Sequence, residues 1–296
     1  MSDDLWEYTL QPQDEGKTFQ EILKRKFHFS TKLIQQLKKG EFVWVDGEFT
    51  FLSATGQSGQ TLRIKLVAPE EATIPGEQLP LDILFEDDYF LAVNKPAGQV
   101  VHPTPRYPSG TIGNAVVGYL ASKGDTRPFR PINRLDRNTS GVIVIAKNRF
   151  AHQQLAWQQE RGQIKKVYLG VVSGVLSQDH GEIREPIRLV PGSFIQRQTH
   201  PEGLQSLTYY KVLRRYKEAC LVEFVLATGR THQIRVHCQA IGHSLLGDDL
   251  YSGDTSLISR QALHAYRYSF KHPVHGNLIS IQAPLPNDIK ILLETL

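Results

Sequence analysis

The chain has 296 residues, 40% of them hydrophobic and 22% charged, with a formal net charge of +4. That is the balance of a soluble globular protein long enough for one large domain and a small one. No apolar run approaches the roughly 20 residues that cross a bilayer, and the opening "MSDDLWEYTL" lacks the basic and apolar regions of a secretion signal, so a cytoplasmic protein is expected. Cys220 and Cys238 lie in apolar segments and read as buried free thiols. No Cys-x-x-Cys, His-Glu-x-x-His, Gly-x-Gly-x-x-Gly or Walker A pattern occurs, so neither a metal nor a nucleotide cofactor is expected.

Residues 17–66 hold nine Lys/Arg against four Asp/Glu, a surplus of +5, and the remainder is close to neutral. Residues 18–27 place Phe19, Ile22 and Leu23 on one helical face and close on Lys24, Arg25 and Lys26. Ser30 is the expected N-cap of a second helix, which turns Leu33, Ile34 and Leu37 inward and ends in Lys38 and Lys39 before Gly40. "EFVWV" and "EFTFL" flank Asp46-Gly47 as a hairpin, and "TLRIKL" alternates like a half-buried strand. Two helices and a small sheet make residues 1–66 an α/β unit able to fold alone. Its basic surplus suits a polyanion partner, because each neutralised phosphate releases condensed counterions. A solvated basic face is the plainer reading of the same charge. Residues 67–82, with three prolines and four acids, read as a linker.

From residue 83 strands dominate. They are expected in 83–95 around an Asp87-Asp88 turn, and at 164–175, 207–216 and 219–228; helices are expected at 110–122, 149–160 and 231–241. This pattern predicts an α+β domain over 83–296, built on a mixed, mainly antiparallel sheet and not on a Rossmann fold.

Three clusters carry chemistry. In "PINRLDRNTSGVIVIAKN" a single carboxylate, Asp136, sits between Arg134 and Arg137, just before an apolar run that suggests a doubly buried strand. The arginines favour its charged form, which suits a nucleophile or base; a structural ion pair is the plain alternative. In "KKVYLGVVSG" Tyr168 shares a strand face with Lys166, an arrangement for stacking a planar ring, or else a core tyrosine. In "TGRTHQIRVH" a helix from Thr231 would put His232, Arg235 and Val236 on one face, with Arg235 able to reach Asp136 across a cleft, or would be an exposed basic helix.

In this order the clusters resemble the RluA family of pseudouridine synthases: "RLDRNTSG" its catalytic-aspartate signature, "KKVYLGVVSG" its tyrosine motif and "GRTHQIRVH" its arginine motif. "NKPAGQVVHP" (94–103), "GHSLLGDDLYSG" (242–253) and "LHAYRYSF" (263–270) match as well. "FSTKLIQQLKKG" followed by "VDG" resembles an S4 RNA-binding domain, with Thr31-Lys32 where an arginine usually follows the serine. Asn133 stands where the family commonly has histidine, and Asn138 where it often has aspartate. The resemblance implies cofactor-free conversion of uridine in structured RNA to pseudouridine. Asp136 would be the essential carboxylate, by a glycal or an acylal route. Arg235 would pair with it, Tyr168 would stack on the uracil, and Arg134 would fill the gap left by the flipped nucleotide. Lys24, Arg25, Lys26, Lys32, Lys38 and Lys39 would bind RNA, ribosomal RNA first, with transfer RNA open. A monomer is expected. The competing readings are a non-catalytic S4-type RNA-binding protein and a nucleoside or glycoside hydrolase, which would need a second acid. A serine hydrolase built on Ser140 lacks the Gly-x-Ser-x-Gly elbow.

Overall fold

Two side-chain caps start the N-terminal unit. Thr18 and Glu21 form a reciprocal capping box that opens α1 (Phe19–Glu21), which widens into a π-turn over Ile22–Lys26. The Ser30 hydroxyl accepts from the Leu33 amide at 3.1 Å and opens α2 (Thr31–Leu37). The computed structural model describes residues 5–66 and 72–296. Against these helices lies a four-stranded sheet, β1 (Leu5–Thr9), β2 (Val43–Val45), β3 (Glu48–Phe49) and β4 (Thr61–Lys65), in the order β1-β4-β2-β3. Asp46 and Gly47 both have positive φ, the requirement of the tight hairpin that "DG" signalled. β1 has no counterpart in the sequence pattern. Two acids just before it hid a strand whose Trp6 is a core residue.

The unit's core is completed from outside. Phe150, from α4 (Arg149–Glu160), packs among Trp6, Phe29 and their neighbours. Next to it, the Gln153 carbonyl accepts from the Ser30 amide at 2.9 Å and the Gln154 amide donates to Phe27 O at 2.6 Å. His28, in the left-handed region, stacks on Trp157. Residues 72–82 do not hang as a free tether. They lie along α3 (Ile112–Ser122), with Asn114 bridging Pro75 O and the Glu77 amide. A Cβ at Gly118 would fall 2.1 Å from Glu77 O, so that glycine permits the contact. Residues 67–71 of the expected linker lie outside the described residues.

The large sheet is built from β5 (Ile83–Glu86), β6 (Phe90–Lys95), β7 (Ser140–Ala146), β8 (Lys165–Ser173), β9 (His180–Ile183), β12 (Thr208–Arg215), β13 (Ala219–Leu226), β14 (Leu263–Lys271) and β15 (Leu278–Gln282). The order is β5-β6-β7-β14-β8-β13-β12-β9, with β15 on β14. A short hairpin, β10 (Ile187–Leu189) and β11 (Arg197–Thr199), stands apart. Among these pairings only β7–β14 is parallel, so the sheet is mixed and mainly antiparallel, as the strand-rich pattern predicted. That parallel contact lasts two residues, after which β15 takes β14's edge. Residues 130–133 run along the freed edge of β7: Ala146 N donates to Arg130 O, and Ile132 N to Val144 O. The Asn133 side-chain amide then pairs with Val142 O and Val144 N at 2.9 Å each. A side chain thus replaces backbone in the ladder and lets the chain leave the sheet where the Asp136 loop begins. β7 is buried along its whole length, as its apolar run suggested.

α5 (Gln233–Ala240) and α6 (Asn287–Thr295) complete the domain. No helix among the described residues is long and apolar enough to cross a membrane.

Glu86 ties β5 to α3 and to the end of β7, accepting from Lys147 at 2.7 Å, Lys123 at 2.9 Å and Tyr119 at 2.6 Å. Burial alone would raise its carboxyl, but these three donors overcome it and hold it at about 2. A depressed carboxyl stabilises the fold above its unfolded value near 4.5 and loses that contribution as pH falls toward 2. Glu86→Gln should therefore flatten the decline in stability between those pH values, by at most about 3 kcal/mol, as read from urea unfolding at stepped pH.

Candidate active site

The Asp136 loop is held through its carbonyls. Asp136 O accepts from the Thr139 amide at 3.1 Å, which closes the turn. Arg137 O accepts from the Lys95 ammonium at 2.8 Å and from the Gly98 amide at 2.9 Å. Asn138 O accepts from Arg260 at 3.0 Å, and Arg260 in turn is locked to Asp288 at the start of α6. Gly141 then enters β7 at φ +117°, where a Cβ would lie 2.2 Å from Ala265 O. Only glycine lets β14 come this close under the loop.

Fixed backbone leaves the Asp136 side chain aimed at α5, with 26% of its surface exposed. Arg235 donates to one Asp136 oxygen at 3.3 Å. The rest of its guanidinium forms a two-pronged contact with Asp248, both bonds at 2.7 Å, and Asp248 is 0% exposed. Burial would lower Arg235, but Asp248 and then Asp136 reverse that and raise it, so the guanidinium is a permanent cation. The Tyr251 ring lies 4.9 Å beneath it.

His232 reaches the other Asp136 oxygen at 3.7 Å. It is not on the helix, as the spacing had suggested. α5 starts at Gln233, and His232 is the left-handed residue before it. Gln233 braces the approach, bonding Thr228, the Arg230 amide and Leu207 O, and this fixes the kink. The Tyr251 hydroxyl accepts from the Arg197 amide at 2.9 Å and shares a hydrogen bond with His232 Nδ1 at 2.8 Å, which turns His232 Nε2 toward Asp136. Burial lowers His232 despite the pull of Asp136, which makes the neutral ring the form at neutral pH. Val236 turns away into a small core with Ile187 and Tyr251.

Tyr168 is 8% exposed, on the β8 face that packs against α5. Burial, and then the Asp136 charge, push its hydroxyl up, so the phenol stays protonated. The three residues that sequence joined as a site, Asp136, Tyr168 and Arg235, do converge. Arg134 is exposed, without a partner among the described residues.

Lys95 and Asp248 carried no role in the sequence motifs, although "NKPAG" and "GDDLYSG" stood out. Lys95 is 0% exposed and donates to Pro96 O, Gln99 O and Arg137 O, all at 2.8 Å. Burial pulls its ammonium down to about 7, against the Asp136 charge, which raises it.

Of the six basic residues in the N-terminal unit, Lys26 stands apart. It bonds the buried Asp14 at 2.9 Å and Tyr8, so it supports the small core and is not a free RNA contact. Arg25 makes only a loose, exposed pair with Glu21 at 3.9 Å, and Lys24, Lys32, Lys38 and Lys39 are exposed. Lys32 borders a cleft of about 350 Å³ between α2 and α4, which Arg130, Arg149 and His152 also line.

The family model for RNA pseudouridylate synthase matches residues 89–240, a segment that contains Asp136, Tyr168 and Arg235. The "Uncharacterized RNA pseudouridine synthase YhcT" of Bacillus subtilis is 36% identical over 291 residues, covering 98% of this chain and 96% of that protein. The "Ribosomal large subunit pseudouridine synthase D" of Haemophilus ducreyi is 34% identical over 276 residues, 86% of this chain and 85% of the relative. Among solved structures, "Human RNA Pseudouridylate Synthase Domain Containing 1" superposes with a TM-score of 0.58 at 26% identity, over 71% of this chain and 85% of that one.

Removing Asp248 would strand a buried guanidinium. Asp248→Ala is expected to lower stability by about 3–5 kcal/mol, and Arg235→Met in the same chain should return at least about 1 kcal/mol of it. Urea unfolding of the two single variants and the double variant measures this coupling.

Proposed function

This chain belongs to the RluA family of RNA pseudouridine synthases, and on that footing we propose that it isomerises a uridine of structured ribosomal RNA with Asp136 as the reacting carboxylate. What carries the reading is the placement of that side chain: partly exposed, on an immobilised loop, oriented by Arg235 and near enough to Tyr168 for its charge to raise that hydroxyl. In the reaction the C1′–N1 bond breaks, the uracil turns, and a C1′–C5 bond forms as C5 loses its proton and N1 gains one. A carboxylate beside the ribose suits both the glycal and the acylal route, because each develops positive charge at C1′. Arg235, clamped by Asp248, fixes the carboxylate without being free to swing away. Tyr168, kept protonated, serves as a stacking surface and hydrogen-bond donor, not as a phenolate base. Exposed Arg134 is placed to occupy the space of the flipped nucleotide.

A hydrolase needs a second carboxylate to guide water. Asp248 cannot serve, since it is buried and Arg235 occupies both of its oxygens. The S4-like unit, residues 1–66, with Lys24, Arg25, Lys32, Lys38 and Lys39, supplies the sequence-independent attraction for RNA. Its docking through Phe150 sets its position relative to Asp136. The name of the Haemophilus relative directs the first substrate test to large-subunit ribosomal RNA.

Pseudouridine mapping in cells lacking the protein should find a ribosomal site that wild type restores and Asp136→Asn does not, while Asp136→Asn retains RNA binding. A map in which every site persists overturns the assignment. Changing Lys24, Arg25, Lys32, Lys38 and Lys39 to Gln together should flatten the dependence of log K on log salt by about 0.7–0.9 for each phosphate no longer neutralised. Lys26→Gln should instead show as a lower melting temperature.

A further inference from the structure

Among the described residues three lysines are buried, and they differ in one respect. Lys95 matches its three N–H donors to three carbonyls. Lys147 meets the Glu86 carboxylate and Asp87 O. Lys166, at 9% exposure, has no hydrogen-bond or ion-pair partner among the described residues. Its stem is buried while its ammonium, which is not among the buried unpartnered atoms, meets the solvent side.

Its surroundings match. Lys166 lies two residues before Tyr168 on the same face of β8. Directly across the ladder on β14 is Tyr268, whose buried hydroxyl also lacks a partner. Burial and then Tyr168 raise the Tyr268 hydroxyl, and burial and then Asp136 raise Tyr168. On the other side is Gly229, in the approach to α5. A Cβ there would meet the Lys166 ammonium at 3.4 Å and no other atom within 4 Å. The charge therefore faces open space, and it lies against the loop that delivers His232 and Arg235.

We infer that the Lys166 ammonium is an anion-binding point of the substrate cleft, taking an anionic oxygen of the target nucleotide. Two oxygens of the substrate have this chemistry. One belongs to a phosphate flanking the flipped uridine. The other is a carbonyl oxygen of the uracil after C1′–N1 heterolysis, when the bonding pair stays with the base and its charge spreads to O2 and O4. In either case the substrate supplies the partner that this ammonium lacks among the described residues. This assignment rests on the synthase reading above.

The test uses full-length wild type, Lys166→Met and Lys166→Arg on ribosomal RNA labelled with tritium at uridine C5 and taken from cells lacking the protein. Tritium release gives kcat and KM, and thermal unfolding gives Tm. Methionine keeps the buried stem and removes only the charge, so Lys166→Met should unfold at about the wild-type temperature, while kcat/KM falls about tenfold or more, as for loss of a charge-assisted hydrogen bond. Lys166→Arg should retain more activity than Lys166→Met. A raised KM with a shallower salt dependence assigns the phosphate; a lowered kcat at constant KM assigns the uracil anion. Wild-type kcat and KM in Lys166→Met overturn the inference, and so does a lowered Tm, which would mark a structural lysine. A wild type that releases no tritium overturns the synthase reading itself, and this inference with it.

Discussion

The site hangs on one guanidinium shared between two carboxylates. Asp248, wholly buried, takes two of Arg235's nitrogens in short parallel bonds, and the third reaches partly exposed Asp136 at a longer distance. The asymmetry matters. A cation satisfied by Asp136 alone could move with it, whereas one locked from behind presents a fixed direction to the acid in front. Asp248 costs desolvation energy that its pair with Arg235 offsets, and Tyr251 supports the stack from below while its hydroxyl also holds His232 Nδ1.

Around that axis the backbone is arranged to keep Asp136 still. The carbonyls of residues 136–138 are engaged by the Thr139 amide of the same turn and by an ammonium and a guanidinium from distant parts of the chain. Asn133 ends the edge pairing along β7, and Gly141 permits β14 to close in. Asn133 thereby has a physical role where the family commonly carries histidine. Asn138 uses its backbone carbonyl for Arg260, an interaction that does not depend on the side chain.

The small basic unit is joined to this scaffold through its core, not by a tether. Phe150 belongs to a helix of the large domain yet packs among Trp6 and Phe29, and two glutamines of that helix bond the backbone between α1 and α2. Burying an aromatic across a junction suppresses independent motion more than surface ion pairs do. The basic surface is thus carried at a set position relative to Asp136.

Much of this was legible in the residues. Alternating and continuous apolar runs located most strands of the large sheet, Ser30 and Asp46-Gly47 announced a cap and a turn, and the motifs singled out Asp136, Tyr168 and Arg235. These signals are local: side-chain period, caps and turns are written within a few neighbours. β1 was missed because five residues just after two acids offer little period, and His232 was put on a helix because spacing does not reveal a left-handed residue. The partners of the site were not legible either. Arg235 and Asp136 are 99 residues apart, and nothing near Lys26 in sequence distinguishes it from Lys24 until the fold brings Asp14 against it. Sequence by itself determined which residues carry charge, which face of each element is apolar and where the chain turns. Tertiary structure alone decided which charges are neutralised by a buried partner and which stay available to substrate, because that depends on contacts between distant segments and on how much water each group gives up.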